Sequence, residues 1–191
     1  MIKFKKPLNF NQEEALFPQP ISTSNLVQPD IAKFFGYAKR SFDNKQLTNN
    51  GELVQELEKR LADYHQTEFC VTFCNGFWGI VLTIYSLALK GKKEVIIPSL
   101  TYRRMADIIA WLNLTPHFCD VDPTTLGVTK ETVEKCINEN TALILGVQPI
   151  IQLCDIDGLT QLSKTYGIPL LFDSVEGVGK SYRGKIVGSF G

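Results

Sequence analysis

From residue 68 onward, short apolar runs alternate with amphipathic helical segments, and this rhythm limits the fold more than any other feature. "EFCVTF" reads as a strand and "NGFWGIVLTIYSLALKG" as a helix; "EVIIP" is a strand and "TYRRMADIIAWLN" a helix. "PHFCDVD" (strand), "TKETVEKCIN" (helix) and "TALILGV" (strand) continue the alternation, and "DIDGLTQLSKTYG" (helix) and "IPLLFD" (strand) close it. Unbroken apolar runs suit strands buried on both faces, and parallel neighbours need a crossover that is usually a helix. The pattern therefore predicts an α/β fold: three layers, with a mostly parallel sheet flanked by helices.

The first part of the chain lacks this rhythm. Residues 1–28 carry scattered prolines, as in "LFPQPISTSNLVQP", and read as an extended arm. "PDIAKFFGYAKRSF" sets Ile31, Phe34, Phe35 and Ala38 at helical spacing, with Pro29 suited to a first turn. After the polar break "DNKQLTNNG", the segment "ELVQELEKRLADYH" lines up Val54, Leu57, Leu61 and Tyr64, with Glu56 and Arg60 one turn apart. The expected division is an arm and first helix over 1–46 and the α/β portion over 47–191.

Composition excludes several function classes. Twenty basic residues balance twenty acidic ones, so no global field favours nucleic acid or an anionic membrane. The start "MIKFKKPLNFNQEEALF" has no apolar stretch of signal-peptide type, and "GFWGIVLTIYSLAL" is too short to span a bilayer. Five cysteines without a CxxC pair fit packing in a reducing compartment, not a disulfide framework or a metal site. A cytoplasmic protein with no membrane and no nucleic-acid partner is expected.

Ligands of open α/β sheets gather beyond the carboxyl ends of the strands. After "CVTF" comes "CNGFWG", where Gly76 opens a helix whose first amides would suit a phosphate, although on this feature alone a plain strand-to-helix turn is the favoured reading. After "EVIIP" comes "SLTYRR", placing Tyr102 at the start of the next helix, either over a flat ligand or in the core. After "PLLF" comes Asp173, a carboxylate that would be costly to bury without a cation. A phosphate seat, a stacking aromatic and an aspartate, in that order, describe a pyridoxal-phosphate pocket, in which the aspartate keeps the pyridine nitrogen protonated.

From about residue 47 to its end the sequence resembles the DegT-type sugar-nucleotide aminotransferases. The likeness rests on "LTNNGELVQELEKRLADY", "CNG", "EVIIPSLTY", "PHFCDVDPTTLGVTKETVEKCI", "DIDGLTQLSKTYGIPLLFDS" and "GKSYRGKIVGSFG". It implies an incomplete, N-terminal portion of the cofactor-binding large domain of a fold type I pyridoxal-phosphate enzyme. It also implies that Gly76 and Phe77 offer amides to the cofactor phosphate, that Tyr102 stacks on the ring and that Asp173 pairs with the pyridine nitrogen. Glu176 falls where a glutamine usually contacts the ring's 3-hydroxyl.

The implied reaction moves an amino group, from glutamate, onto a nucleotide-linked keto-sugar in polysaccharide or secondary-metabolite sugar biosynthesis. The full-length enzyme would be a homodimer. The Schiff-base lysine is expected beyond Gly191, so no catalytic lysine is assigned within the chain; Lys180 and Lys185 sit in "GKSYRGKIVG", which reads as a surface hairpin with solvated lysines. Three departures stand out: Phe77 where a threonine is usual, "QPII" (148–151) where "His-x-Tyr-Gly" is usual, and Glu176 for glutamine. They keep two alternatives open, a lysine-lacking sugar dehydratase of the same fold and a non-catalytic, truncated relative.

Overall fold

The computed structural model describes residues 28–150 and 152–191; the arm expected over residues 1–28 lies outside them apart from Gln28. The chain forms two units, one ending at Leu47 and one beginning at Thr48. In the first, α1 spans Ile31–Asp43. The Asp30 carboxylate accepts from the amides of Ala32 (2.9 Å) and Lys33 (3.1 Å), satisfying donors that the helix itself leaves open. Pro29 therefore precedes the cap instead of occupying the first turn. Ile31, Phe34 and Phe35 remain exposed.

The second unit opens with α2 (Glu52–His65), closed by Gln66 at φ 55°. Glu56 and Arg60 form the expected ion pair. Of the apolar stripe, Val54, Leu57 and Tyr64 stay exposed, and Ala62 is the residue α2 buries. The expected strand "EFCVTF" does not join a ladder. Instead, Thr72 gives both its amide and its hydroxyl to the Glu58 carboxylate, each at 2.8 Å, while Phe69 and Val71 lie exposed. These bonds from Thr72, its amide first, hold the Glu58 carboxyl below the usual range.

The remaining strands appear as expected: β1 (Glu94–Pro98), β2 (Thr115–Cys119), β3 (Thr141–Val147) and β4 (Leu170–Asp173). They form one parallel sheet in the order β2-β1-β3-β4. Four helices cover it: α3 (Gly76–Leu87), α4 (Met105–Trp111), α5 (Lys130–Glu134) and α6 (Ile156–Tyr166). Side chains alternate between the two faces, as the two-residue period of a strand dictates. Val95, Ile97, Leu143 and Leu145 meet Val81, Ile84, Ile108 and Ile109 of α3 and α4. Ile96 and Ile144 point the other way, toward Val133, Ile156, Leu159 and Leu162 of α5 and α6. The chain leaves β1 for β2 by way of α4, then passes back beyond β1 to β3 by way of α5 on the opposite face. Parallel crossovers of fixed hand require this change of face when the direction of travel reverses.

A hairpin, β5 (Ser181–Tyr182) with β6 (Lys185–Ile186), follows the sheet, as the sequence suggested. Its turn residues Arg183 (φ 48°) and Gly184 (φ 77°) both take the left-handed conformation that a two-residue hairpin needs. The Tyr182 hydroxyl donates to Asp157 of α6 at 2.8 Å, and Arg183 pairs with the same carboxylate. The cysteines are all free, but packing does not account for all five. Cys119 and Cys154 are buried, and burial pushes their thiols up to about 11 and about 12; Cys74 is exposed. No helix among the described residues is long and apolar enough to cross a membrane.

Because Leu143 is fully buried between the sheet and α3/α4, Leu143→Ala is expected to cost about 2–5 kcal/mol. Urea unfolding would read this as a lower midpoint with an unchanged slope. A loss below about 0.5 kcal/mol would contradict the burial assigned to β3.

Candidate functional site

The reversal of travel at β1 places a topological switch between β1 and β3, and the crevice beyond the carboxyl ends of these strands is where such sheets take ligands. The turns following β1, β3 and β4 lie at that end because the strands are parallel, and the start of α3 meets the turn after β1 through Phe77 and Arg104. Each of these segments carries at least one of the residues singled out by sequence.

At α3, the Asn75 side chain caps the helix by accepting from the Trp78 amide at 3.1 Å. The amides of Gly76 and Phe77 make no hydrogen bond to another described residue. A Cβ on Gly76 would meet nothing within 4 Å, so the helix opens onto free space. The Phe77 side chain turns away into an aromatic group, with its ring centroid 5.4 Å from that of Trp78 and 6.3 Å from that of Trp111. The Arg104 guanidinium lies over the same ring, 5.3 Å from its centroid. This contact brings the turn after β1 against the start of α3.

Tyr102 stands in that turn and not in the helix. Its carbonyl accepts from the Met105 amide at 2.9 Å, and α4 begins only at Met105 because Arg104, at φ −87° and ψ 4°, caps it. The ring is 59% exposed, which removes the core reading of Tyr102. At the far side, Asp173 ends β4 opposite Val147 of β3, and its carbonyl accepts from the Gln148 amide at 2.9 Å. Asp173 Oδ1 accepts from the Val175 amide at 3.1 Å, leaving Oδ2 without a hydrogen bond to a described residue. The carboxylate is half-buried, so it escapes the full cost of burial without a cation. Glu176 is exposed in the short 3-10 turn Val175–Gly177.

Several contributors were not legible in the sequence. Gln148 is almost wholly buried at 1% exposure, and its Oε1 accepts from the Cys154 amide at 3.0 Å, fixing the loop that leaves β3. Ile151 of the same "QPII" stretch lies outside the described residues. Lys180 is half-buried, not solvated: its ammonium donates to the carbonyls of Ile150 (2.6 Å) and Pro149 (3.2 Å). Lys185 is exposed, as expected. The hydroxyls of Thr101, beside Tyr102, and Ser174, beside Asp173, are buried with no hydrogen-bond partner. Buried polar groups are seldom left so, and the two sit next to the two side chains expected to meet a ligand. No group of three or more histidine, cysteine or acidic side chains suited to a metal occurs among the described residues.

The sequence pattern of the DegT/DnrJ/EryC1/StrS aminotransferase family matches residues 29–191. The L-glutamine:2-deoxy-scyllo-inosose aminotransferase of Streptomyces fradiae is 37% identical over 131 residues, covering 69% of this chain and 31% of that protein. The crystal structure of DesI in the presence of its TDP-sugar product superposes with a TM-score of 0.82 at 30% identity, covering 92% of this chain and 44% of DesI. A Streptococcus pneumoniae protein assigned as a sugar aminotransferase, solved in its PLP-form, superposes with a TM-score of 0.70 at 25% identity, covering 80% and 43%. The chain thus spans less than half the length of each of these relatives.

Replacing Gln148 by leucine leaves the buried Cys154 amide without its acceptor, at an expected cost of about 1–3 kcal/mol. Hydrogen exchange at the Cys154 amide should accelerate before any change appears in β1. Unchanged protection at Cys154 would show that the Gln148 side chain does not hold the loop.

Proposed function

The chain belongs to the DegT/DnrJ/EryC1/StrS aminotransferase family, and from that premise we propose that it carries the cofactor-binding part of a pyridoxal-phosphate-dependent sugar aminotransferase. The observation that supports this reading is that Tyr102 and Asp173 follow strands of one parallel sheet, at its carboxyl end, with α3 beginning against the turn that holds Tyr102. The family's enzymes replace a carbonyl by an amine, and the fold is that of pyridoxal-phosphate enzymes of fold type I.

The residues present fit the cofactor. Free amides at Gly76 and Phe77 face open space suited to a phosphate, and the exposed Tyr102 ring suits a flat heteroaromatic face. Asp173 Oδ2 is free to accept a hydrogen bond from a protonated ring nitrogen. When bound, pyridoxal phosphate supplies an electron sink for carbanion chemistry. Asp173 sustains that sink by holding the proton at the ring nitrogen, since an adjacent carboxylate favours the protonated form. The Val175 amide on Oδ1 orients the carboxylate, leaving Oδ2 for that task. Tyr102 positions the ring, and the amides of Gly76 and Phe77 anchor its phosphate. Glu176, where the resemblance implies a glutamine, would be the residue to contact the ring's 3-hydroxyl.

Lys180 is committed to two carbonyls and Lys185 is a surface residue of the hairpin. By the family resemblance, the covalent anchor and acid-base group of this reading would be a lysine outside these residues. The acceptor is a nucleotide-linked keto-sugar and the donor is glutamate, in a cytoplasmic homodimer. A second reading, with L-glutamine as donor and a cyclitol ketone as acceptor, is favoured by the 37% identity to the inosose aminotransferase.

The test is to supply the full-length protein with pyridoxal phosphate, each donor in turn, and either a nucleotide-linked keto-sugar or an inosose. Mass spectrometry should find the ketone oxygen exchanged for an amine with one of the pairs. Absence of cofactor-dependent transfer with every pair would refute the aminotransferase reading. Asp173→Asn should abolish most turnover while the melting temperature stays put. Tyr102→Ala should weaken cofactor binding by about 1–3 kcal/mol, seen as a right-shifted absorbance titration. Wild-type turnover in the Asp173 variant would remove that carboxylate from the nitrogen.

A further inference from the structure

Directly after Tyr102 the chain carries Arg103 and Arg104, and the function proposed above uses neither. Together with Asp107 they line a surface cavity of about 270 Å³ at the carboxyl end of β1. The Arg104 guanidinium is held on two sides, by the face of Phe77 at 5.3 Å and by Asp107, whose Oδ2 is 3.7 Å from Nε. Arg104 is thus pre-positioned over Phe77 while about half of its side chain stays open to a ligand, 52% exposed. Arg103 meets no ion-pair or hydrogen-bonding partner among the described residues, so its guanidinium is left over. Two guanidinia against one carboxylate leave the cavity with excess positive charge.

We propose that Arg103 and Arg104 form a phosphate-binding subsite beside Tyr102. The planar guanidinium offers two parallel N–H donors that match the spacing of phosphate oxygens, and such charge-assisted pairs are the strong ones. Arg104 brings this charge against Phe77, whose amide stands at the proposed cofactor seat; Arg103 extends it along the turn after β1. The phosphate comes either from the cofactor or from a diphosphate on the acceptor substrate. The chemistry of the subsite stands on the cavity and its arginines, while the choice between these two sources rests on the aminotransferase reading above.

The experiment is calorimetric titration of the chain with inorganic pyrophosphate, then with pyridoxal phosphate and with uridine diphosphate. Arg103→Gln and Arg104→Gln should each weaken pyrophosphate binding by about tenfold or more, the loss expected for one charge-assisted contact. Arg104→Lys should recover part of the loss. Where pyrophosphate binding is weakened, a parallel loss for pyridoxal phosphate but not uridine diphosphate assigns the pair to the cofactor, and the reverse assigns it to the acceptor. Pyrophosphate affinity unchanged in both glutamine variants, or no saturable binding by the wild type, overturns the subsite. Because Arg104 also packs on Phe77, Arg103→Gln keeps the test decisive if the Arg104 variants unfold. Arginine-dependent pyrophosphate binding without any transfer activity would sink the aminotransferase reading alone. Intact transfer with binding indifferent to both variants would sink only the subsite.

Discussion

The buried strand β3 is the constraint on which the rest of the second unit depends. It bonds β1 on one side and β4 on the other, and its residues from Thr141 to Gly146 are all buried. A strand with both edges paired and both faces covered has no tolerance for a register slip, because a slip of one residue would exchange its two faces. Leu143 and Leu145 would then leave the α3/α4 side and Ile144 the α5/α6 side, breaking both cores at once. Gly146 belongs to the same constraint. A Cβ there would come within 2.7 Å of the Phe172 ring, so only glycine lets β4 lie this close to β3. The ladder continues past the strand ends with the Gln148 amide on the Asp173 carbonyl. The position of Asp173 is thus inherited from the most rigid element of the fold.

The opposite wall of the crevice is built differently. Tyr102 belongs to a turn that is stabilised by its own carbonyl on the Met105 amide and by the stack of Arg104 on Phe77. In the function proposed above, firm placement of Asp173 and looser placement of Tyr102 would fit the different tolerances of the two contacts. A hydrogen bond to a ring nitrogen is directional and fails steeply with angle, while a stacked face accepts lateral shifts. The orphaned hydroxyls of Thr101 and Ser174 lie at these two walls, one beside each recognised side chain.

The fold was legible wherever a segment buried itself by its own pattern. "EVIIP" and "TALILGV" became β1 and β3 with the bounds their apolar runs suggested. "EFCVTF" looked equally strand-like, but a strand needs a partner, and Glu58 satisfied the Thr72 donors from α2 instead. Pairing is a property of two segments and is invisible in one. The site divided along the same line. Asp173, Gly76 and Tyr102 were legible because they follow strands or open a helix, positions that topology fixes. Gln148 and Lys180 owe their roles to contacts such as Cys154 with Gln148 and Pro149 with Lys180, which no local pattern announces.

The departures from the family's usual residues at 77 and 148 bear on whether the chain is a decayed relative. Decay predicts changes at former site positions with nothing built around them. Phe77 is instead the centre of a three-ring group with Trp78 and Trp111, capped by Arg104, and it keeps its backbone amide free. Gln148 is buried and makes a hydrogen bond that an uncompensated polar side chain would lack. Both side chains are thus integrated into the packing of the fold. Only Glu176, exposed on its turn, has no such account within the protein.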